Sequence, residues 1–323
     1  SPTAQLYGSA VPVNTDTIVK ARVWDADEWS ALNEAPFAIA LALDITEINY
    51  NPHDPSAEES ATIPGVDSDD FEFIEIYNAE PIKPIELANM TLSGGVQFTF
   101  PDVRLDPGDY AIVVEDIAAF QQRYGTSVNV LGEWRGKLSN DGEQLILSHG
   151  TGIRILDFAY DDNEFWPRQA DGFGSTLELI APGNTLTSDL GSFDRWQGSI
   201  ALGGSPGTAG AGPVGVVINE VITRTNVPDL DAIELHNTTA SPVNVTGWWL
   251  SDSTQKFDKF VIPSTTIPAG GYVFFDENDF NASGDPLLDF ALNGISGDEV
   301  WLVKPDAAGT RADGGIRGPA PPP

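Results

Sequence analysis

Ile74-Glu-Ile-Tyr-Asn78 and Ile233-Glu-Leu-His-Asn237 decide the fold. In each, apolar side chains fall at alternate positions and end on an asparagine, the period-two signature of a strand with one buried face. Working outward, the two surroundings also match. Ile45-Thr-Glu47 answers to Ile218-Asn-Glu220, Leu92-Ser93 to Leu250-Ser251, and Leu105-Asp-Pro-Gly-Asp-Tyr110 to Ile267-Pro-Ala-Gly-Gly-Tyr272. Leu138-Ser-Asn-Asp-Gly-Glu143 answers to Leu292 and Gly297-Asp-Glu299, so the matches recur at a nearly constant offset of roughly 160 residues. The pattern predicts two copies of one β-domain, over 44–207 and 216–310.

Composition agrees with an all-β chain. Of 323 residues, 32 are Gly and 24 Pro, which favours many turns over long helices. One helix is expected: Asp116 caps it, Ile117, Phe120 and Tyr124 share a face, and Gly125 stops it. Strands are expected at Thr17–Trp24 and within Trp29–Ile39, in a partial module over 1–40 too short for its own sandwich. Gly203 to Gly215 carries no side chain able to build a core, so it reads as a linker, narrowest at 208–215, that hinges the copies. A Gly/Pro-rich tail fills 311–323, and the second copy lacks counterparts of the first copy's closing strands at Ile153–Tyr160 and Thr176–Ile180. That predicts an unpaired edge.

The 48 acidic and 16 basic side chains give a formal charge of −32, which argues against nucleic acid and against anionic membranes. The longest apolar run, Phe37 to Leu43, is too short to span a bilayer, and no signal-peptide pattern opens at Ser1, as expected of an excised or processed chain. With no cysteine, disulfides and thiolate metal sites are excluded.

These residues resemble the lamin-tail domain, an immunoglobulin-like β-sandwich found also in large secreted and surface proteins of bacteria. The resemblance rests on Val217-Ile-Asn-Glu220, Ile233–Asn237, Val245-Thr-Gly-Trp-Trp-Leu-Ser-Asp252, Ile267–Tyr272 and Gly297-Asp-Glu299, with Asn89 in the first copy where the second has Gly247. Tyr160, Asp162, Trp166-Pro167, Asp171-Gly172, Gly174 and Leu177-Glu-Leu179 resemble the tail of bacterial members. Val19-Lys-Ala-Arg22 and Trp29-Ser-Ala-Leu32 resemble the end of a chitobiase-type Ig-like module. The resemblance implies tandem immunoglobulin-like sandwiches in a secreted or cell-surface protein, acting as spacer, adhesive or assembly units on protein partners or on copies of the same chain.

Chemistry-bearing candidates are few. His53, His149 and His236 are separate and no Gly-x-Ser-x-Gly elbow accompanies them, so no hydrolase triad is expected and no catalytic residue is assigned. Glu75 and Glu234 sit mid-strand on the face opposite the aliphatic residues, where a solvated or cross-strand polar role is expected, as for Glu47 and Glu220. Calcium is the cofactor the acidic loops would take: Asp67, Asp69 and Asp70 in one, Asp161, Asp162 and Glu164 in another, with Asp25–Glu28 and Asp276–Asp279 as further clusters. Solubility explains the same clusters. Trp248 shares a face with Leu250, whereas Trp249 points the other way and is the candidate for stacking on a polysaccharide ring. A carbohydrate-binding accessory of a secreted hydrolase is therefore the rival reading.

Overall fold

The computed structural model describes residues 6–13, 17–37, 41–163, 165–210, 215–223, 229–253, 256–295 and 299–305. It is all-β, with three short helices among them.

Near the N-terminus, β1 (Thr17–Ala21), β2 (Trp24–Asp25), β3 (Glu28–Trp29) and β4 (Asn33–Phe37) form one hairpin, β1 pairing with β4 and β2 with β3. Its turn places Ala26 and Asp27 at φ 47° and 67°, the left-handed pair that matches strand twist. Trp24 and Trp29 pack across it at 4.8 Å, yet no residue of the hairpin is buried.

The first sandwich begins with β5 (Leu43–Asn49), α1 (Ala57–Thr62), β6 (Phe73–Asn78) and β7 (Ile85–Glu86). It continues through β8 (Thr91–Gly94), β9 (Val96–Thr99), β10 (Arg104–Leu105), β11 (Tyr110–Val114) and α2 (Ile117–Tyr124). β12 (Val130–Glu133), β13 (Arg135–Gly136), β14 (Glu143–Ser148), β15 (Arg154–Tyr160), β16 (Leu177–Leu179) and β17 (Trp196–Gly198) complete it. One sheet has the order β12-β11-β6-β5-β16-β17, the other β13-β9-β8-β14-β15. Ile45, Ile48, Ile74, Ile76, Leu92, Leu145, Leu147 and Leu177 fill the space between them. The alternation read from the sequence is thus the inward face of β6.

On the outer face of the first sheet, α2 lies where the sequence places it. Asp116 Oδ1 accepts from the Ala119 amide at its start, and Gly125 ends it at φ 82°. Phe120 packs on Phe73, Ile112 and Val114. α1 was not legible as a helix; Ser56 and Glu59 form a reciprocal capping box that starts it. Arg123 of α2 joins the two helices, its guanidinium bonded to Glu59 at 2.8 Å and lying 3.3 Å from the Phe71 ring centroid.

The second sandwich comprises β18 (Val216–Ile222), β19 (Ala232–Asn237), β20 (Val243–Asn244), β21 (Trp249–Ser251) and β22 (Phe260–Val261). β23 (Thr266–Ile267), β24 (Tyr272–Asp276), α3 (Glu277–Phe280) and β25 (Trp301–Val303) follow. Its sheets are β18-β19-β24 and β22-β21-β25, which repeat the pairings β5-β6-β11 and β9-β8-β14. The details repeat too. A register shift falls between Ile45 and Glu47 in β5 and between Ile218 and Glu220 in β18. Asn89 and Gly247 both adopt positive φ, at 61° and 80°, so the asparagine that departs from the glycine pattern keeps the conformation. Among the described residues, no counterpart of β15, β16 or β17 pairs with the second sandwich.

Gly203 to Gly207 is not free linker. It lies across the outer face of the first sheet, with the Gly203 amide donating to Gly174 O and Tyr124 Oη donating to Gly203 O. Nor do the sandwiches stand apart: Arg168 pairs with Glu299 at 2.6 Å, and Phe173 packs on the buried Trp301 at 5.1 Å between ring centroids.

Candidate functional site

Three glutamates stand side by side on neighbouring strands of the first sheet. Glu47 is the register partner of Glu75 on one side and of Glu178 on the other. Of the two roles read from the sequence, solvated or cross-strand polar, the second is the one found: Glu47 and Glu75 are each 1% exposed. The strap 203–210 covers them. Together with Tyr110, Gln197 and Thr208 these residues line a shallow cleft of about 430 Å³, open mouth included.

Each carboxylate oxygen in the row meets a donor from the chain itself. Glu47 Oε1 accepts from Thr176 Oγ1 at 2.5 Å and, with Oε2, from the Ser205 amide at 3.0 and 3.3 Å. Glu75 accepts from Thr46 Oγ1 at 2.5 Å and from the Gly207 amide at 2.7 Å. Glu178 accepts from Ser205 Oγ at 3.0 Å and Gln197 Nε2 at 3.3 Å. Among the described residues, no arginine or lysine lines the cleft. Burial, reinforced by the neighbouring acids, therefore raises the Glu47 carboxyl well above its usual range. Burial likewise pushes Glu75 up to about 7, against the partial opposition of Thr46 and Gly207.

Glycine is required under this strap. At Gly204, φ is +86° and an added Cβ would lie 1.7 Å from Glu47 Oε1. The Gly-rich stretch was legible as a segment without side chains; its role as a lid on acids was not, although Glu178 within Leu177-Glu-Leu179 repeats the aliphatic-Glu-aliphatic pattern of Glu75.

The second sandwich carries the same polar pair without the cover. Asn219, the residue at the bulge, donates to Glu234 Oε1 at 2.7 Å, as Thr46 donates to Glu75. Glu220 is exposed and Glu234 half-buried. His236 stacks on Tyr272 at 4.3 Å where Tyr77 stacks on Tyr110 at 4.7 Å.

The acidic loops are organised differently from a metal cage. Asp67 Oδ1 accepts from the Asp69 amide and Asp70 Oδ2 from the Asp67 amide, while Asp69 pairs with Lys137 at 2.6 Å. Asp161 caps the amides of Asp162 and Asn163; Glu164 lies outside the described residues. Asp276 and Asp279 form the capping box of α3. Among the described residues, no three His, Cys, Asp or Glu side chains are grouped so as to hold a metal ion.

Trp249 opens β21, in register with Val261 and Val303, and is half-buried. Trp248 packs against the second core, with Lys304 Nζ 5.9 Å from its ring centroid. Among the described residues, no helix is long and apolar enough to cross a membrane.

The fold and its pairings define immunoglobulin-like all-β sandwiches. Residues 210–314, which span the second of them, match the family model of the Lamin Tail Domain. No curated protein and no solved structure matches the chain.

Proposed function

We propose that the chain is a non-enzymatic structural and assembly segment of a large secreted or cell-surface bacterial protein. In this reading the first sandwich is a second, elaborated lamin-tail-like unit, and the N-terminal hairpin is the end of a preceding Ig-like module. Its partners are proteins, with a strand-accepting edge on the second sandwich, and its acidity keeps like copies apart.

One observation carries the reading. In the cleft where three acids converge, both oxygens of every carboxylate are engaged by the protein's own amides, hydroxyls and Gln197, so the row closes a strap and presents no free acid-base pair to a substrate. The acidic loops likewise satisfy their own amides, which supports solubility over calcium as their role.

The test is a panel of chromogenic glycosides, esters and phosphates together with a polysaccharide-binding panel. Neither turnover nor retention is expected. Turnover abolished by Glu75→Gln would overturn the non-enzymatic reading, and retention lost on Trp249→Ala would replace it with the carbohydrate-binding one.

A further inference from the structure

The two sandwiches differ at one strand edge. In the first, β16 lies antiparallel against β5, pairing Leu177 with Ile48 and Glu178 with Glu47, and places Leu177 and Leu179 in the core. Its Thr176 hydroxyl reaches Glu47. Ile48 is fully buried there. By the shared bulge, β18 is the counterpart of β5, and Glu220 and Val221 are the counterparts of Glu47 and Ile48. No described strand lies on that side of β18: Glu220 is exposed, Val221 is 38% and Ile222 45% exposed. The outer edge of the opposite sheet is different, because Arg168 and Phe173 of the first sandwich already reach Glu299 and Trp301 there.

We infer that the free edge of β18 receives an extended segment of another protein, with large aliphatic residues at alternate positions and a lysine or arginine between them. This rests on the assembly reading above and adds the chemistry of the partner. The aliphatic pair follows from β16, whose Leu177 and Leu179 are what the same edge buries in the first sandwich. The basic residue follows from charge. The position between the leucines faces Glu220, with Glu234 beside it, and among the described residues neither has the amide-rich cover that satisfies Glu47 and Glu75. A chain of net charge −32 repels copies of itself and draws a basic strand toward its surface.

The probe is a fluorescent peptide of residues 174–199 carrying Glu178→Lys, titrated into the full chain and followed by anisotropy. Saturable binding is expected, at least tenfold tighter than for the peptide with Glu178 and weakening as salt rises. Leu177→Asp with Leu179→Asp in the peptide should abolish it, and Val221→Asp in the chain should weaken it at least tenfold. Hydrogen exchange of the unbound chain should show the outer amides of β18 unprotected, becoming protected with peptide; this second measurement stands if the Val221 variant misfolds. Absence of binding at millimolar peptide, equal binding of the Lys and Glu peptides, or β18 amides already protected in the free chain would each overturn the inference. Any of these with clean enzymatic and polysaccharide panels leaves the broader structural reading standing.

Discussion

Asn78 and Asn237 hold the same corner of the two sandwiches with the same atoms. Asn78 Nδ2 donates to Lys83 O and Leu105 O while its Oδ1 accepts from the Glu80 amide. Asn237 Nδ2 donates to Ser241 O and Ile267 O, with Pro268 O as a third acceptor, and its Oδ1 accepts from the Thr239 amide. Each locks the end of its strand to the small β7–β10 or β20–β23 ladder. Both side chains are fully buried, so truncation strands several polar backbone groups away from water. Asn78→Ala and Asn237→Ala should each destabilise their own sandwich by about 2–3 kcal/mol, and in the double variant a urea titration should show each sandwich shifted as in its single variant because the sites share no partner. The burial of Asn237 also removes it as a glycosylation acceptor in the folded chain, although it begins an Asn-x-Thr sequon.

Stability of the first sandwich should fall as pH rises from about 4.5 to 8. Glu75 titrates at about 7 and Glu72, buried with Leu138 N on one oxygen, at about 8, while burial raises Glu47 as well. Each folded carboxyl binds its proton more tightly than the unfolded one, whose value lies near 4.5. Their contribution is therefore full below that pH and is lost as pH climbs through the folded values. Melting temperatures across pH 5–8 should show the decline. Glu75→Gln should flatten part of it, because a neutral amide can still accept from Gly207 and donate to the Thr46 hydroxyl.

The opposite slope is expected on the acid side. Burial opposes ionisation of Glu59, but Arg123 and the Ser56 cap together hold it down to about 2. This contribution is complete above the usual carboxyl value and disappears between about pH 4.5 and 2. Arg123→Ala leaves a nearly enclosed carboxylate without its cation and should cost about 3–5 kcal/mol at pH 6. Double substitution with Glu59→Gln should recover part of the loss.

Gly204→Ala tests the strap directly. A methyl group cannot enter the 1.7 Å gap to Glu47 Oε1, and φ +86° already disfavours alanine. Protease cleavage within 203–210 and loss of amide protection at Ser205 and Gly207 are the expected readouts, with β14 and β15 unchanged.

Much of the fold was legible because β5, β6, β18 and β19 carry strict alternation and because paired deviations, such as Ile45-Thr-Glu47 with Ile218-Asn-Glu220, mark the same bulge. α2 was legible from its cap and stop. α1 was not, since Ala57–Thr62 has no apolar periodicity and is fixed by the distant Arg123. The acid row escaped reading for a similar reason. Glu47 and Glu75 read by sequence as solvated or cross-strand polar residues, and the return of Ser205 and Gly207 across 132 residues or more brings the amides that help bury them.

The strap has a mechanical consequence. Chain entering the first sandwich at β5 and chain leaving it after Gly207 are fastened to one another through Glu47, Glu75 and two backbone amides. Tension drawing those two ends of the chain apart is therefore shared between the clasp and the β5–β6 ladder that begins at Leu43.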